Sequence, residues 1–198
     1  KGIFIMSLLV LGINYKTAPL FIREKIAYNK FNIKNIINNL FLNKLCTGVV
    51  VISTCNRFEM YFNNVRLYFV IKFLNTFYDF NFKKMKKHIY IYTEINVVSH
   101  LFNVICGLNS IVLGETQIFI QIKFFYNLSY ELKVLDKIMN KLFQYAFFVS
   151  KYIRSKTDIC LNSFSIAKVA IQLAERVFVN INDAVVMIIG AGENARII

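Results

Sequence analysis

Apolar positions recur with two periods along the chain, and the change between them separates an early mixed half from a later helical half. Residues 7–14 form an apolar run that reads as a buried strand. Thr17 then offers an N-cap and Pro19 suits an early helical position, which predicts a short helix through Ile26. Ile33, Ile36, Ile37, Leu40 and Phe41 follow the i, i+3, i+4, i+7, i+8 rule with Asn and Lys outside, so an amphipathic helix is expected. Residues 49–53 and 59–63 read as two strands on either side of a turn. A helical spacing follows over 66–78, then a fourth strand over 89–92. The order β-α-β-β-α-β predicts a ferredoxin-like unit, an antiparallel sheet covered by two helices on one side.

Beyond Asn96 the period is helical. Val97, Leu101, Val104, Ile105 and Leu108 make one stripe, which ends near Gly107 and Asn109. Helices are expected over 115–132 and 136–155, the second with Ile138, Leu142, Tyr145 and Val149 on its inner face, and another over 163–179. Residues 184–189 read as a strand of the parallel-sheet type running into Gly190-Ala191-Gly192. The expected class is α+β: the ferredoxin-like unit, a helical subdomain, and the first strand of a Rossmann domain. Lys83-Lys84-Met85-Lys86-Lys87-His88, the one charge run, reads as a solvated loop.

Composition changes this picture little. The 198 residues are 57% apolar, enough for a packed core. The longest membrane candidate, residues 2–13, holds about a dozen residues interrupted by Ser7, against the roughly 20 that a helical span needs. Lys1 before that run mimics a signal peptide, but no small-residue cleavage site follows. Met6 reads as a natural start. The expectation is a soluble, cytoplasmic protein with no membrane partner. The net charge of +13 suits a polyanion, although 18 of the 24 basic residues are Lys in a chain rich in Ile, Asn, Phe and Tyr. That profile is also what A/T-rich codon drift produces. Cys46, Cys55, Cys106 and Cys160 have neither C-x-x-C spacing nor paired His, so neither a zinc site nor a disulfide framework is suggested and no metal is expected. Cys46, Cys106 and Cys160 sit among apolar neighbours and read as small hydrophobes.

Cys55 differs. Ser53-Thr54-Cys55-Asn56-Arg57 places a thiol between polar neighbours where an apolar strand ends, with a guanidinium two residues away that favours thiolate or holds a carboxylate. Together with Leu11-Gly12-Ile13-Asn14-Tyr15-Lys16-Thr17-Ala18-Pro19, Ser99-His100-Leu101, the run from Gly107 to Gln117, Thr157-Asp158-Ile159 and Gly190-Ala191-Gly192-Glu193, this segment resembles the glutamyl-tRNA reductases.

That resemblance implies NADPH-dependent reduction of glutamyl-tRNA(Glu) to glutamate-1-semialdehyde through a cysteine thioester, the opening step of tetrapyrrole (porphyrin, haem) synthesis. A thiolate attacks an ester well and leaves well, and a thioester is easier to reduce than an ester. By resemblance Cys55 is the nucleophile, and His100 polarises the carbonyl or shuttles the leaving-group proton. Arg57 grips a carboxylate; Thr54, Asn56, Ser110, Glu115, Thr116, Gln117 and Gln121 complete the substrate site. Phe58, Thr116 and Ile120 stand where the family has Thr, Pro and Gly; Phe58 is expected to make the pocket wall more apolar, and Ile120 to crowd the approach to the site. Gly190, Ala191, Gly192, Glu193, Asn194 and Ala195 read G-x-G-x-x-A after the expected strand, a dinucleotide fingerprint. On this reading residues 6–160 are the catalytic domain, and 161–198 are a connecting helix and the start of an incomplete NADP-binding domain. The full-length family implies a homodimer and handover to an aminomutase. The alternatives are a non-reducing remnant with only acyl-transfer or esterase activity, and a tRNA-binding module.

Overall fold

The computed structural model describes residues 6–27, 33–77, 82–157, 159, 166–178 and 185–190. Four strands, β1 (Met6–Asn14), β2 (Gly48–Ser53), β3 (Arg57–Val65) and β4 (Tyr90–Thr93), form one antiparallel sheet in the order β2-β3-β1-β4. Helices α1 (Leu20–Ala27), α2 (Ile33–Leu42), α3 (Leu67–Phe77) and the single turn α4 (Phe82–Met85) belong to this half. Four more follow: α5 (Ile95–Ile105), α6 (Gln117–Glu131), α7 (Lys137–Lys156) and α8 (Ile166–Val177).

Every element expected before residue 180 is present, with ends that differ by at most three residues. Four expectations are corrected. The Lys83–His88 run is not a loop but α4 followed by a 3-10 turn at Lys86–His88. The Thr17 hydroxyl does not cap α1. It accepts from the Asn14 backbone N–H at 3.1 Å, while the Asn14 side chain accepts from Lys16 and Thr17. The sheet is covered on both faces, since β2 is buried at all six positions and β3 at all but Asn64. The Arg57, Glu59 and Tyr61 side of β3 meets α5 and α7, where His100 bonds Glu59 and Phe143 packs edge-on against Tyr61 at 5.5 Å. Finally, residues 185–189 form no strand and are exposed: a strand exists only through its ladder partners, and none of the described residues pairs with them.

The inner face of α7 also differs from the expected one. Met139, Leu142, Phe143, Ala146, Phe147 and Ser150 are buried, whereas Ile138 and Tyr145 face outward. Asp136 sets the start of this helix and ties it to the sheet. Its carboxylate accepts from Met139 N at 2.8 Å, from Thr47 Oγ1 at 2.6 Å and from Asn63 Nδ2 at 2.7 Å. Removing an N-cap costs about 1 kcal/mol, and hydrogen bonds to a charged group add more. Asp136→Ala is therefore expected to lower stability by about 2–3 kcal/mol, read as an earlier urea midpoint with an unchanged slope.

Candidate active site

The turn between β2 and β3 carries Cys55, and its shape follows from Thr54. The Thr54 hydroxyl accepts from the N–H groups of Asn56 (3.2 Å) and Arg57 (3.1 Å), a local bond that closes the chain on itself. Two neighbours clamp the turn from outside. Arg23 of α1 donates from Nη1 to the Cys55 carbonyl at 2.6 Å, and Tyr15 N–H donates to the Asn56 carbonyl at 2.9 Å. The Cys55 side chain is exposed on this fixed backbone, while Cys46 and Cys106 are buried. Burial and nearby Asp136 push the Cys46 thiol up to about 12, so it stays protonated and inert.

Behind the turn lies a buried charge network. Arg57 and Glu59 are two residues apart on β3 and so share one face. Arg57 Nη1 meets Glu59 Oε1 at 2.8 Å, with both side chains almost wholly buried. Arg57 Nη2 donates to the Asn109 carbonyl at 2.6 Å, which engages two of the five donors of the guanidinium. Glu59 also accepts from Tyr61 Oη at 2.7 Å and Tyr90 Oη at 2.5 Å, and it bonds His100 Nε2 at 3.0 Å. Burial alone raises a carboxyl, but Arg57 first and His100 next outweigh it and hold Glu59 down at about 2. The same burial beside a carboxylate pushes the Tyr61 and Tyr90 hydroxyls well up, so both remain donors.

Gly12 makes this network geometrically accessible. It lies on β1 between Glu59 of β3 and Tyr90 of β4. A Cβ there meets Glu59 Cγ at 2.8 Å and the Tyr90 ring at 2.9 Å. Gly12→Ala is expected to separate the Tyr90 hydroxyl from Glu59 and destabilise the fold by about 1–3 kcal/mol, measured as a fall in thermal midpoint.

Thr54, Cys55, Asn56, Arg57, Ser110, Glu115, Gln117, Ile118 and Gln121 line one narrow polar cleft of about 50 Å³. Seven expected site residues thus join Cys55 from three separate stretches of chain. Ser110 is placed by a loop whose Gly107 and Gly114 both have positive φ, and Tyr15 Oη donates to its carbonyl at 3.1 Å. Half-buried Glu115 titrates above the usual carboxylate range because burial outweighs the opposing effects of Ser110 and Arg57. A second, largely apolar cleft of about 620 Å³ opens on the other side of Cys55, between α2 and α6, with Ile120 and Phe124 on its wall.

His100 and Thr116 are not among the described residues lining the polar cleft. His100 is buried and reaches the cleft only through Glu59 and Arg57. Thr116 is exposed at the start of α6 and makes no side-chain cap bond. Phe58, expected on the pocket wall, is instead buried in the core, because alternation on β3 turns it away from Arg57. Ile120 does stand beside Cys55, on the apolar cleft. Of the G-x-G-x-x-A run only Gly190 is described, at φ +110°, and a Cβ at that position would have no neighbour within 4 Å. Ala191, Gly192, Glu193, Asn194 and Ala195 lie outside the described residues, as does Cys160. The described residues form no cradle for a pyrophosphate.

Sequence reasoning missed Glu59, Tyr61, Tyr90 and Arg23. Glu59 is visible in principle: a lone carboxylate in Phe58-Glu59-Met60-Tyr61-Phe62, on the alternate position from an Arg, has to be paired when the strand is buried. Arg23 has no local signal, because its contact with Cys55 spans 32 residues.

Residues 11–157 match the family described as glutamyl-tRNAGlu reductase, N-terminal domain. The chain is 37% identical over 195 residues to the glutamyl-tRNA reductase of Psychromonas ingrahamii, covering 98% of this chain and 46% of that protein. It is 39% identical over 192 residues to that of Wigglesworthia glossinidia brevipalpis, covering 94% and 46%. Among solved structures it is similar to glutamyl-tRNA reductase from Methanopyrus kandleri, with a TM-score of 0.68 and 28% identity over 86% of this chain and 40% of that one. The chain spans about half the length of the curated relatives it matches.

Proposed function

Since the chain belongs to the glutamyl-tRNA reductase family, we propose that it carries the acyl-accepting half of the reduction of glutamyl-tRNA, the first step of tetrapyrrole synthesis from glutamate. The single observation that supports this most is the exposed Cys55, held by Thr54 and Arg23 at the mouth of a cleft whose floor is a buried guanidinium. In this reading the Cys55 thiolate attacks the ester carbonyl of the glutamyl group. A carbon–sulfur bond forms, the carbon–oxygen bond to the tRNA terminus breaks, and the leaving oxygen takes up a proton. Arg57 receives the side-chain carboxylate, and its bonds to Glu59 and Asn109 fix the fork before substrate arrives. Thr54, Asn56, Ser110, Glu115, Gln117 and Gln121 supply the remaining hydrogen-bonding groups around the substrate, with Thr116 beside them at the head of α6. His100 acts through Glu59, keeping the carboxylate in place behind Arg57.

When bound, NADPH supplies the hydride that reduces the thioester to an aldehyde. The cofactor is inferred from the family and from the G-x-G-x-x-A run of residues 190–195. We take 6–160 as the catalytic domain and 161–198 as the connecting helix and start of the cofactor domain. The strand order fits a ferredoxin-like unit. Homodimerisation, transfer of the aldehyde to an aminomutase and a cytoplasmic setting belong to the same reading. None of the described helices is long and apolar enough to cross a membrane.

The test is to incubate the purified chain with tRNA charged with radiolabelled glutamate, quench in acid and digest. Label on the peptide that contains Cys55, released by hydroxylamine, is the expected result. Label on any other peptide, or none while free glutamate stays at the protein-free level, refutes the proposal.

A further inference from the structure

The outward face of α7 is built unlike the rest of the surface. Tyr145, Phe148 and Tyr152 are 58%, 59% and 56% exposed although each is a large ring. Spacings of three and four residues put them in one row on the helix. Phe148 and Tyr152 stack with centroids 6.4 Å apart, and Tyr145 meets Phe148 at 5.8 Å with its ring tilted by 43°. The same spacing places Lys137, Lys141, Lys151 and Lys156, all exposed, beside that row, and α7 contains no acidic residue. Burying these rings in the protein core is not what α7 uses for packing, since Met139, Leu142, Phe143, Ala146 and Phe147 already do that from the other side.

We propose that this face of α7 binds unpaired nucleotides of an RNA strand, with bases stacked on Tyr145, Phe148 and Tyr152 and phosphates against the flanking lysines. Two features favour this occupant over a second copy of the chain. A two-fold pairing of the face with itself sets four lysines against four lysines, which is repulsive and has no acidic group on α7 to relieve it. A nucleotide strand offers a π-face for each ring and a negative charge for each lysine at once. The chain's net charge of +13 adds a long-range attraction of the same sign. The identity of the RNA as charged tRNA rests on the function proposed for the Cys55 cleft; the affinity for unpaired RNA does not.

The full chain is titrated by fluorescence anisotropy against a fluorescein-labelled U12 single strand and a 12-base-pair RNA duplex, at several salt concentrations. Tighter binding of U12 than of the duplex is expected. The triple variant Tyr145→Ala/Phe148→Ala/Tyr152→Ala is expected to weaken U12 binding by about 100-fold or more with its circular dichroism unchanged. Lys141→Ala/Lys151→Ala is expected to reduce the slope of log affinity on log salt by about 1.4, two phosphates' worth on a single strand. Ultraviolet crosslinking of the parent chain to U12 is expected to mark the tryptic peptide that holds Tyr145 and Phe148, which tests the site without any variant. Equal affinity of parent and triple variant, equal affinity for U12 and duplex, or crosslinks confined to other peptides overturns the proposal. So does a parent dimer in sedimentation that the triple variant abolishes, because the second copy then occupies the face. Acylation of Cys55 from a glutamyl thioester lacking RNA separates the two readings. It is expected to be the same in parent and triple variant, and its absence from both refutes the cleft while leaving the α7 result standing.

Discussion

Cys55→Ser is expected to abolish the covalent glutamyl adduct and to slow deacylation of glutamyl-tRNA by about 10³-fold or more, the scale on which loss of a nucleophile is felt. The serine hydroxyl fits the same exposed position on the same clamped turn, so the fold and the cleft are retained. What is lost is the ionisable, polarisable sulfur. No described His or Lys lines either cleft within reach of activating a hydroxyl in its place except Lys34, which belongs to the apolar cleft. Comparing rates of adduct formation and of glutamate release in the parent and the variant checks this. Equal release by both removes Cys55 from the chemistry.

Glu59→Ala is expected to cost about 3–5 kcal/mol, because it leaves the Arg57 guanidinium buried without its counter-charge and strips Tyr61, Tyr90 and His100 of a shared partner. In a domain whose total stability is of order 5–15 kcal/mol, that approaches unfolding. Glu59→Gln keeps the shape and isolates the charge, and its pH dependence has a definite sign. The Glu59 carboxyl sits at about 2 in the folded chain, below its value in an unfolded one, so the folded state binds fewer protons. Its contribution is therefore complete above about pH 4.5 and is lost as pH falls toward 2; a shift of that size corresponds to about 3 kcal/mol. Urea midpoints of parent and Glu59→Gln measured from pH 6 down to pH 2.5 should converge on acidification. Parallel curves refute the assignment.

The two predictions concern residues of very different legibility. Cys55 and Arg57 stand out locally, since a thiol and a guanidinium in a polar turn after an apolar strand are informative without any knowledge of the fold. Glu59 is not informative until β3 is known to be buried on both faces. The sequence pattern alone suggests a sheet with one open side, on which a carboxylate needs no partner. Helix α7 shows the converse error. With aromatic and aliphatic side chains on its outer face as well as its inner one, the inner stripe read from the pattern is displaced by one position, and Ile138 and Tyr145 fall inward on it although both face solvent. Twenty Phe and 11 Tyr in 198 residues leave the hydrophobic phase of such a helix underdetermined.

Sequence by itself determined the order and type of the elements through α8 apart from the turn at α4, and the cysteine that faces solvent, all of which depend on local periods of two or 3.6 and on side-chain chemistry. The more distant polar residues around that cysteine, Ser110, Glu115, Gln117 and Gln121, are implied only by the family resemblance. Tertiary structure alone decided which strand lies between which, and hence that Gly12 leaves room for Tyr90 to reach Glu59, that Arg23 locks the Cys55 turn, and that His100 stands behind the cleft rather than in it. The physical reason is that these contacts join residues 31 to 78 positions apart, from Glu59–Tyr90 to Gly12–Tyr90. A free energy of contact at that separation depends on the packing of everything between, which no local pattern records.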